Sequence, residues 1–373
     1  MILILSDQFE PNRGGAIDIA RIQAAALASQ NEVHVLTSLG KTGFGDAVYK
    51  VFVFDLGYNP KLRNYLGIYH PRAIKILKQH LETYQYELCY LHNIHTCWSY
   101  AVLKTLKAAR IKTILTFHDV SSVTPFVKLC NMKSARDYSY SLLREIRDAK
   151  WFFNPFRRIL VKKYLSLASE TRAVSQALAD FLTANGIRVD RVARNKLPAM
   201  NFKANPVYEN TIFFGGRLST AKGALQAIEY LKILKDEHEL TPRLIVAGNR
   251  GVITEKMLYL AKDRKVENQL QFLGWLGEDA YQKAMSRSSV VIVPSICFDS
   301  LPNVVLEAMR AGTPVVATMY GGSSEMVEEG KTWFIRDPQD LRGFSWAIAR
   351  AIKNAPQLGS AGFRKFEQEF CLK

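Results

Sequence analysis

Short apolar runs of four or five residues alternate along this chain with longer stretches in which apolar positions recur every three to four residues. Runs of the first kind read as strands buried on both faces. Stretches of the second kind read as amphipathic helices, and their alternation predicts an α/β protein with parallel sheets covered on both sides. In the first half, strands are expected near residues 2–5, 33–36, 51–54, 88–91, 114–117 and 171–174. A helix over 15–28 carries Ile19, Ile22 and Ala26 at helical spacing, and a helix over 175–184 stops at Asn185-Gly186, a common helix-ending pair. Between 195 and 210 (NKLPAMNFKANPVYEN) the periodicity lapses and two prolines appear, which predicts a linker. The pattern restarts at TIFFGG, with strands near 243–246, 269–273, 290–293, 315–317 and 332–335. The expected organisation is a first domain over 1–195, a hinge over 196–210 and a second domain over 211–355, with a helix over 356–373 packing back on the first. Each domain is a doubly wound sheet, and ligand is expected in the cleft where the carboxyl ends of their strands face each other.

Length agrees with two domains, because 373 residues exceed the roughly 250 to 300 at which one hydrophobic core stops growing. Apolar residues make up 48% and charged residues 23%, which excludes a disordered or collagen-like chain. Charge changes the picture more. The net is +16, of which residues 1–195 hold 27 basic and 15 acidic groups, net +12, and the remainder net +4. Such a field suits an anionic partner: a lipid surface, a phosphorylated acceptor or nucleic acid. Five cysteines, odd in number and without C-x-x-C spacing, predict reduced thiols rather than a disulfide framework or a zinc site. The opening MILILSDQFE lacks the features of a secretory signal, and no apolar run approaches the roughly 18 residues that span a bilayer, so a cytoplasmic protein is expected.

Four constellations can carry chemistry. In PSICFDSLPNVVLEAMRAGTPVVA, seven residues separate Asp299 from Glu307, and a helix beginning near Pro302 would put one carboxylate in a loop and the other on the helix. Carboxylates grip vicinal hydroxyls by accepting two hydrogen bonds, and the free N–H groups of a helix start suit phosphate. On spacing alone, a solvent-facing Asp and a surface Glu fit equally well. In FFGGRLSTAKG, Gly215 and Gly216 follow a strand, and Arg217 and Lys222 precede a helix; two cations beside a glycine turn suit a diphosphate, although each could equally be surface charge. The arrangement is neither G-x-G-x-x-G nor G-x-x-x-x-G-K-[ST]. The first strand leads to Gly14-Gly15, where missing side chains let backbone approach a ligand or simply make a tight turn. Finally, His118 and Asp119 follow an apolar strand in TFHDV, at a carboxyl end.

Together, in this order, these features resemble the retaining glycosyltransferases of family 4, which have the GT-B fold of two Rossmann-like domains. The resemblance runs through Pro-x-x-Gly-Gly at 11–15, NEVHVLT, TFHD, AVSQALADFLTANGI, GGRLSTAKG and an E-x7-E motif present here as D-x7-E. It implies that Glu307 holds the ribose of a nucleotide sugar, UDP- or GDP-linked, and that Asp299 contacts the transferred sugar. It further implies that Arg217 and Lys222 neutralise the diphosphate, that His118 lies beside the sugar, and that Gly14, Gly15 and Gly216 approach the phosphates. Ser300, Leu301 and Asn303 complete the donor loop, where many members have glycines. No metal or other cofactor is implied. Asp for the first Glu, Pro302 without an N–H, and Asn-Lys-Leu-Pro at 195–198 depart from the family pattern.

The acceptor is expected to be a saccharide or a lipid-linked glycan, in polysaccharide or lipid-linked glycan synthesis. Residues 128–163 hold ten basic and three acidic groups with Trp151, Phe152, Phe153 and Phe156 among them, as in helices that lie on anionic lipid. A peripheral position on the inner membrane face is therefore expected, with Arg157, Arg158, Lys162 and Lys163 as contacts. Two other activities share the composition or the fold: a sugar-nucleotide epimerase, and a nucleic-acid-binding or nucleic-acid-glycosylating protein. The chain has no recognised DNA- or RNA-binding motif, so nucleic acid is not the expected partner.

Overall fold

The computed structural model describes the chain except residues 12, 13, 40–47, 58, 125–128, 131–137, 201–208 and 373. Contacts divide it into two compact units: Met1–Lys128 with Tyr138–Arg194, and Leu129–Asp137 with Asn195–Lys373. The main division, at Arg194 and Asn195, lies within a residue of the position where periodicity lapses. Part of the linker, 201–208, and part of the basic segment, 128 and 131–137, lie outside the described residues.

The first unit holds β1 (Ile2–Gln8), α1 (Gly15–Ala28), β2 (Val33–Leu39), β3 (Lys50–Val53), α2 (Arg63–Leu66) and α3 (Pro71–Thr83). It continues with β4 (Leu88–His92), α4 (Val102–Ala108), β5 (Lys112–Phe117), α5 (Leu142–Ala149), α6 (Arg157–Leu165), β6 (Glu170–Ala173), α7 (Gln176–Ala184) and β7 (Arg191–Val192). Its strands form one parallel sheet in the order β3-β2-β1-β4-β5-β6-β7. Two-residue β7 escaped the sequence reading because it is too short to show a period. Helix α1 buries Ile17, Ala20 and Ala24 rather than Ile19, Ile22 and Ala26, and the two alanines share a core with Ile2, Ile4, Val33 and Val35. Ile19 and Ile22 are half-buried.

The second unit holds β8 (Thr211–Gly215), α8 (Ala224–His238), β9 (Arg243–Ala247), α9 (Val252–Asp263), β10 (Leu270–Gly274) and α10 (Glu278–Ser286). It ends with β11 (Val290–Val293), α11 (Asn303–Arg310), β12 (Val315–Thr318), β13 (Phe334–Arg336), α12 (Leu341–Lys353) and α13 (Ala355–Lys365). Its parallel sheet runs β10-β9-β8-β11-β12-β13. Helices α8 and α12 share one core, in which Tyr230 stacks on Phe344 at 4.5 Å and donates its hydroxyl to the Pro338 carbonyl at 2.7 Å. In each sheet, strand order reverses beside the first strand of the unit, β1 against β4 and β8 against β11. Ligands of open α/β sheets bind outside the carboxyl ends at that reversal.

Two expectations change. Residues 356–373, expected to return to the first domain, fall within the second unit. There α13 packs on α11, Leu197 N donates to Phe370 O at 3.0 Å and Leu372 N to Leu197 O at 2.9 Å. Apolar Phe366 and Phe370 are buried, and the Trp333 ring fits against Gly362, where a Cβ would lie 2.5 Å from it. The thiols also differ from expectation: Cys130 and Cys297 form a disulfide, leaving Cys89, Cys97 and Cys371 free. A separation of 167 residues carries no local signature, so only tertiary structure reveals the pair. Around it, Phe298 N donates to Leu129 O at 2.8 Å.

Candidate functional site

In the second unit the expected donor residues gather at the carboxyl ends of β8 and β11. After β8 the chain turns through Gly216 and a short 3-10 turn, Thr220–Lys222, into α8. Gly216 has φ +111° and Gly223 φ +77°; a Cβ on Gly223 would lie 2.0 Å from the Pro294 carbonyl oxygen. Backbone at the start of α8 therefore meets backbone at the end of β11, a contact that only glycine permits here. The turn delivers Lys222 Nζ to Asp299 Oδ2 in an ion pair, with Lys222 36% and Asp299 14% exposed. Ser295 Oγ donates to the same carboxylate oxygen at 3.0 Å. Main-chain bonds from Asp299 N to Tyr320 O, 3.1 Å, and from Gly322 N to Asp299 O, 2.9 Å, fix the loop. Arg217 is exposed on the same turn.

Helix α11 begins at Asn303, one residue beyond the expected Pro302, which takes the cap position. Ser300, Leu301 and Asn303 are buried, and Asn303 Oδ1 accepts from Asn195 Nδ2 at 2.9 Å. Half-buried Glu307, one turn on, is hydrogen-bonded by Tyr281 of α10. Burial, then the Glu307 carboxylate, hold the Tyr281 phenol well above its usual pKa, so it stays a donor. The Tyr281 hydroxyl lies 2.5 Å from where a Cβ on Gly215 would stand, and its ring meets Phe213 edge-on at 5.1 Å. Ser295, Tyr281 and Asn195 were missed by the sequence reading. Ser295 stands four residues before Asp299 and was within reach of motif reasoning; the other two come from remote segments and were not.

Gly14, Gly15 and His118 belong to the first unit. Gly14 caps α1 with φ +149°, and its carbonyl accepts from Ile17 N at 2.9 Å; the two residues before it lie outside the description. His118, just past β5, joins a chain of polar contacts. Its Nε2 lies 2.8 Å from His92 Nδ1, and His92 Nε2 lies 2.8 Å from Gln23 Oε1 on α1. With the Gln23 oxygen accepting, His92 carries its proton on Nε2 and offers a lone pair at Nδ1. His118 then donates from Nε2 and presents Nδ1 as an acceptor. Burial pushes His118 down to about 4, against the pull of Asp119, and holds His92 well below its ordinary value, so both rings are neutral near pH 7. Beside them Asp7, at the end of β1, accepts from Thr96 N, Cys97 N and Trp98 N at 2.6, 2.9 and 2.8 Å. That clasp sets His95 4.0 Å from Asp119.

The basic segment divides in the structure. Arg157, expected at the surface, is buried and donates to the carbonyls of Ser121, Ser122 and Val123. Arg158 pairs with Glu145, while Lys162 and Lys163 are exposed.

Comparison with known proteins matches both halves of the chain. A family model described as glycosyl transferases group 1 covers residues 198–362, and one described as Glycosyltransferase Family 4 covers 13–194. An uncharacterized glycosyltransferase of Methanocaldococcus jannaschii is 29% identical over 158 residues, 42% of this chain and 38% of that protein. A lipopolysaccharide 1,2-N-acetylglucosaminetransferase of Salmonella typhimurium is 27% identical over 208 residues, 53% of this chain and 54% of that protein. The chain thus spans well under two thirds of the length of these curated relatives. Among solved structures, sucrose-phosphate synthase of Thermosynechococcus elongatus aligns with TM-score 0.75 at 18% identity, covering 99% of this chain and 94% of that one. HepE of Anabaena in complex with UDP-glucose aligns with TM-score 0.68 at 20% identity over 99% and 95%. Two parallel Rossmann-like sheets, of seven and six strands, and whole-chain alignment to these structures establish the GT-B fold.

Proposed function

We propose that this chain, a GT-B protein matched over both halves by glycosyltransferase models, moves a sugar from a nucleoside diphosphate sugar to an acceptor hydroxyl and retains the anomeric configuration. The observation that carries the reading is the cluster at the β8 and β11 ends: Lys222 on Asp299, with Glu307 held by Tyr281 nearby on α11. It offers a cation for phosphate and two carboxylates for hydroxyls, at the carboxyl ends of two adjacent central strands.

In this reading Glu307 accepts from the ribose hydroxyls, and Tyr281 holds its carboxylate in place. Asp299 accepts from hydroxyls of the transferred sugar. A bond forms between the acceptor oxygen and the anomeric carbon, and the bond from that carbon to the phosphate oxygen breaks. The leaving diphosphate takes the electron pair and, on a phosphate oxygen, the acceptor's proton. Lys222, Arg217 and the first N–H groups of α11 stabilise the charge that develops there, as preorganised donors do best. The charge is supplied by side chains, so no step is assigned to a metal. The UDP and UDP-glucose complexes of the Anabaena neighbour favour UDP over GDP as the carrier. The Salmonella relative favours a saccharide acceptor of the lipid-linked kind, and with it a place in surface glycan synthesis.

A thermal-shift panel of nucleoside diphosphates and their sugars tests the assignment. A ligand at a hundredfold its dissociation constant stabilises by about 2.7 kcal/mol, so UDP should raise the unfolding temperature of the parent protein and not of Glu307→Ala. An equal shift in both removes Glu307 from the site. Incubation with donor alone separates the epimerase alternative, which would isomerise the sugar nucleotide, from a transferase, which hydrolyses it slowly. Retained activity in EDTA is the expected result for the metal-free mechanism.

A further inference from the structure

We propose that the surface made by α5, the following 3-10 turn Lys150–Phe152 and α6 docks the first unit on an anionic lipid bilayer. The turn and its flanks leave large apolar side chains in water: Trp151 is 96% exposed, Leu143 79%, Ile159 67% and Phe156 65%. These belong to connected elements. The Glu145–Arg158 ion pair and the bond from Arg158 to the Tyr140 carbonyl tie α6 to α5, and Asn64 of α2 donates to Phe152 O at 2.8 Å.

Charge on this face has one sign. Among the described residues from 138 to 165, the only acidic side chains are Glu145, 2% exposed under Arg158, and Asp148, 17% exposed and contacted by Tyr140, Arg144 and Arg147. Arg157 is turned inward onto carbonyls. What remains at the surface is Arg147, Lys150, Lys162 and Lys163 around the apolar group.

That combination selects a bilayer over a protein. Protein interfaces deplete lysine at their cores, whereas helices that lie in the headgroup region combine Trp, Phe and Leu with flanking Lys and Arg. The apolar side chains enter the acyl boundary, Trp151 sits at headgroup level, and the lysines meet lipid phosphates. This assignment stands apart from the transfer reaction and would hold for any activity of the chain.

The test uses the full chain with vesicles of phosphatidylcholine alone and of phosphatidylcholine with phosphatidylglycerol. Cosedimentation is expected with the anionic vesicles at low salt, weakened at least tenfold by about 0.5 M salt, where the Debye length falls to a few ångströms. Trp151 emission should shift to the blue on binding, and Trp151→Phe should lose that shift. Trp151→Ser with Phe156→Ser should abolish binding without lowering the unfolding temperature, because both side chains are exposed. Lys150→Ser, Lys162→Ser and Lys163→Ser together should weaken it on the order of a hundredfold, at roughly fivefold per cation. Indifference of the parent protein to anionic vesicles at low salt overturns the proposal, as does full binding by the aromatic double variant. A dimer in sedimentation equilibrium that the double variant dissolves also overturns it, since a second copy would then cover the face.

Discussion

Lys222 and Asp299 come from motifs 77 residues apart, yet each is the other's ion-pair partner, so a change at one alters the other's task. Lys222→Ala is expected to reduce turnover at least tenfold, both by removing phosphate neutralisation and by freeing the Asp299 carboxylate. Steady-state kinetics beside a variant of an exposed lysine far from the site, such as Lys353→Ala, checks it. Asp299→Glu lengthens a side chain whose oxygen also accepts from Ser295, so it should change preference among sugars on one nucleotide while leaving affinity for the free diphosphate alone. Competition between sugar nucleotides reads this out. At His118, the low pKa of about 4 has a definite sign. The unfolded chain binds this proton near pH 6.5 and the folded one only near 4, so stability is present above 6.5 and falls as pH drops from 6.5 to 4. His80, lowered to about 4 by burial, and His92 act in the same direction. Unfolding temperatures should therefore decline over that window, and His80→Gln should flatten the decline.

At the scale of elements, the site rests on how β8 hands the chain to α8 and β11 to α11. Gly223 is required twice: its φ of +77° suits glycine, and Pro294 leaves no room for a Cβ. Gly223→Ala is expected to cost more than about 1 kcal/mol in denaturant unfolding and to weaken nucleotide binding with it, because the start of α8 must move away from the end of β11. Helix α10 contributes through Tyr281, which links β8 to Glu307. Tyr281→Phe keeps the ring against Phe213 and removes only the hydroxyl. Calorimetry with UDP should show a loss of about 1 kcal/mol, the net value of one hydrogen bond.

For the whole molecule, the Cys130–Cys297 disulfide is the longest covalent constraint in the chain. Closing a loop of 167 residues stabilises a folded state by up to about 5 kcal/mol in the chain-entropy account. Alkylation of the unfolded protein without reductant should label three cysteines, and all five after reduction. Reduction should also lower the unfolding temperature of the parent protein and leave that of Cys130→Ser with Cys297→Ser unchanged. Five labelled cysteines without reductant would show that the pair is not bonded in solution.

Periodicity alone was enough for the α/β class and its two parallel sheets, because a strand buried on both faces and a helix buried on one leave different and repeated marks. Local motifs put forward Gly14, Gly15, His118, Gly216, Arg217, Lys222, Asp299, Ser300, Leu301, Asn303 and Glu307 as candidates, since the turns and helix starts that carry them are set by neighbours in sequence. Tertiary structure decided what depends on remote partners. It paired Lys222 with Asp299 and Cys130 with Cys297, and it brought Tyr281 to Glu307. It also buried Arg157 while leaving Trp151 in water, although the two stand six residues apart in one basic, aromatic segment. Composition could not separate them, because burial is set by which face of a helix meets the sheet and by which carbonyls wait there for a guanidinium.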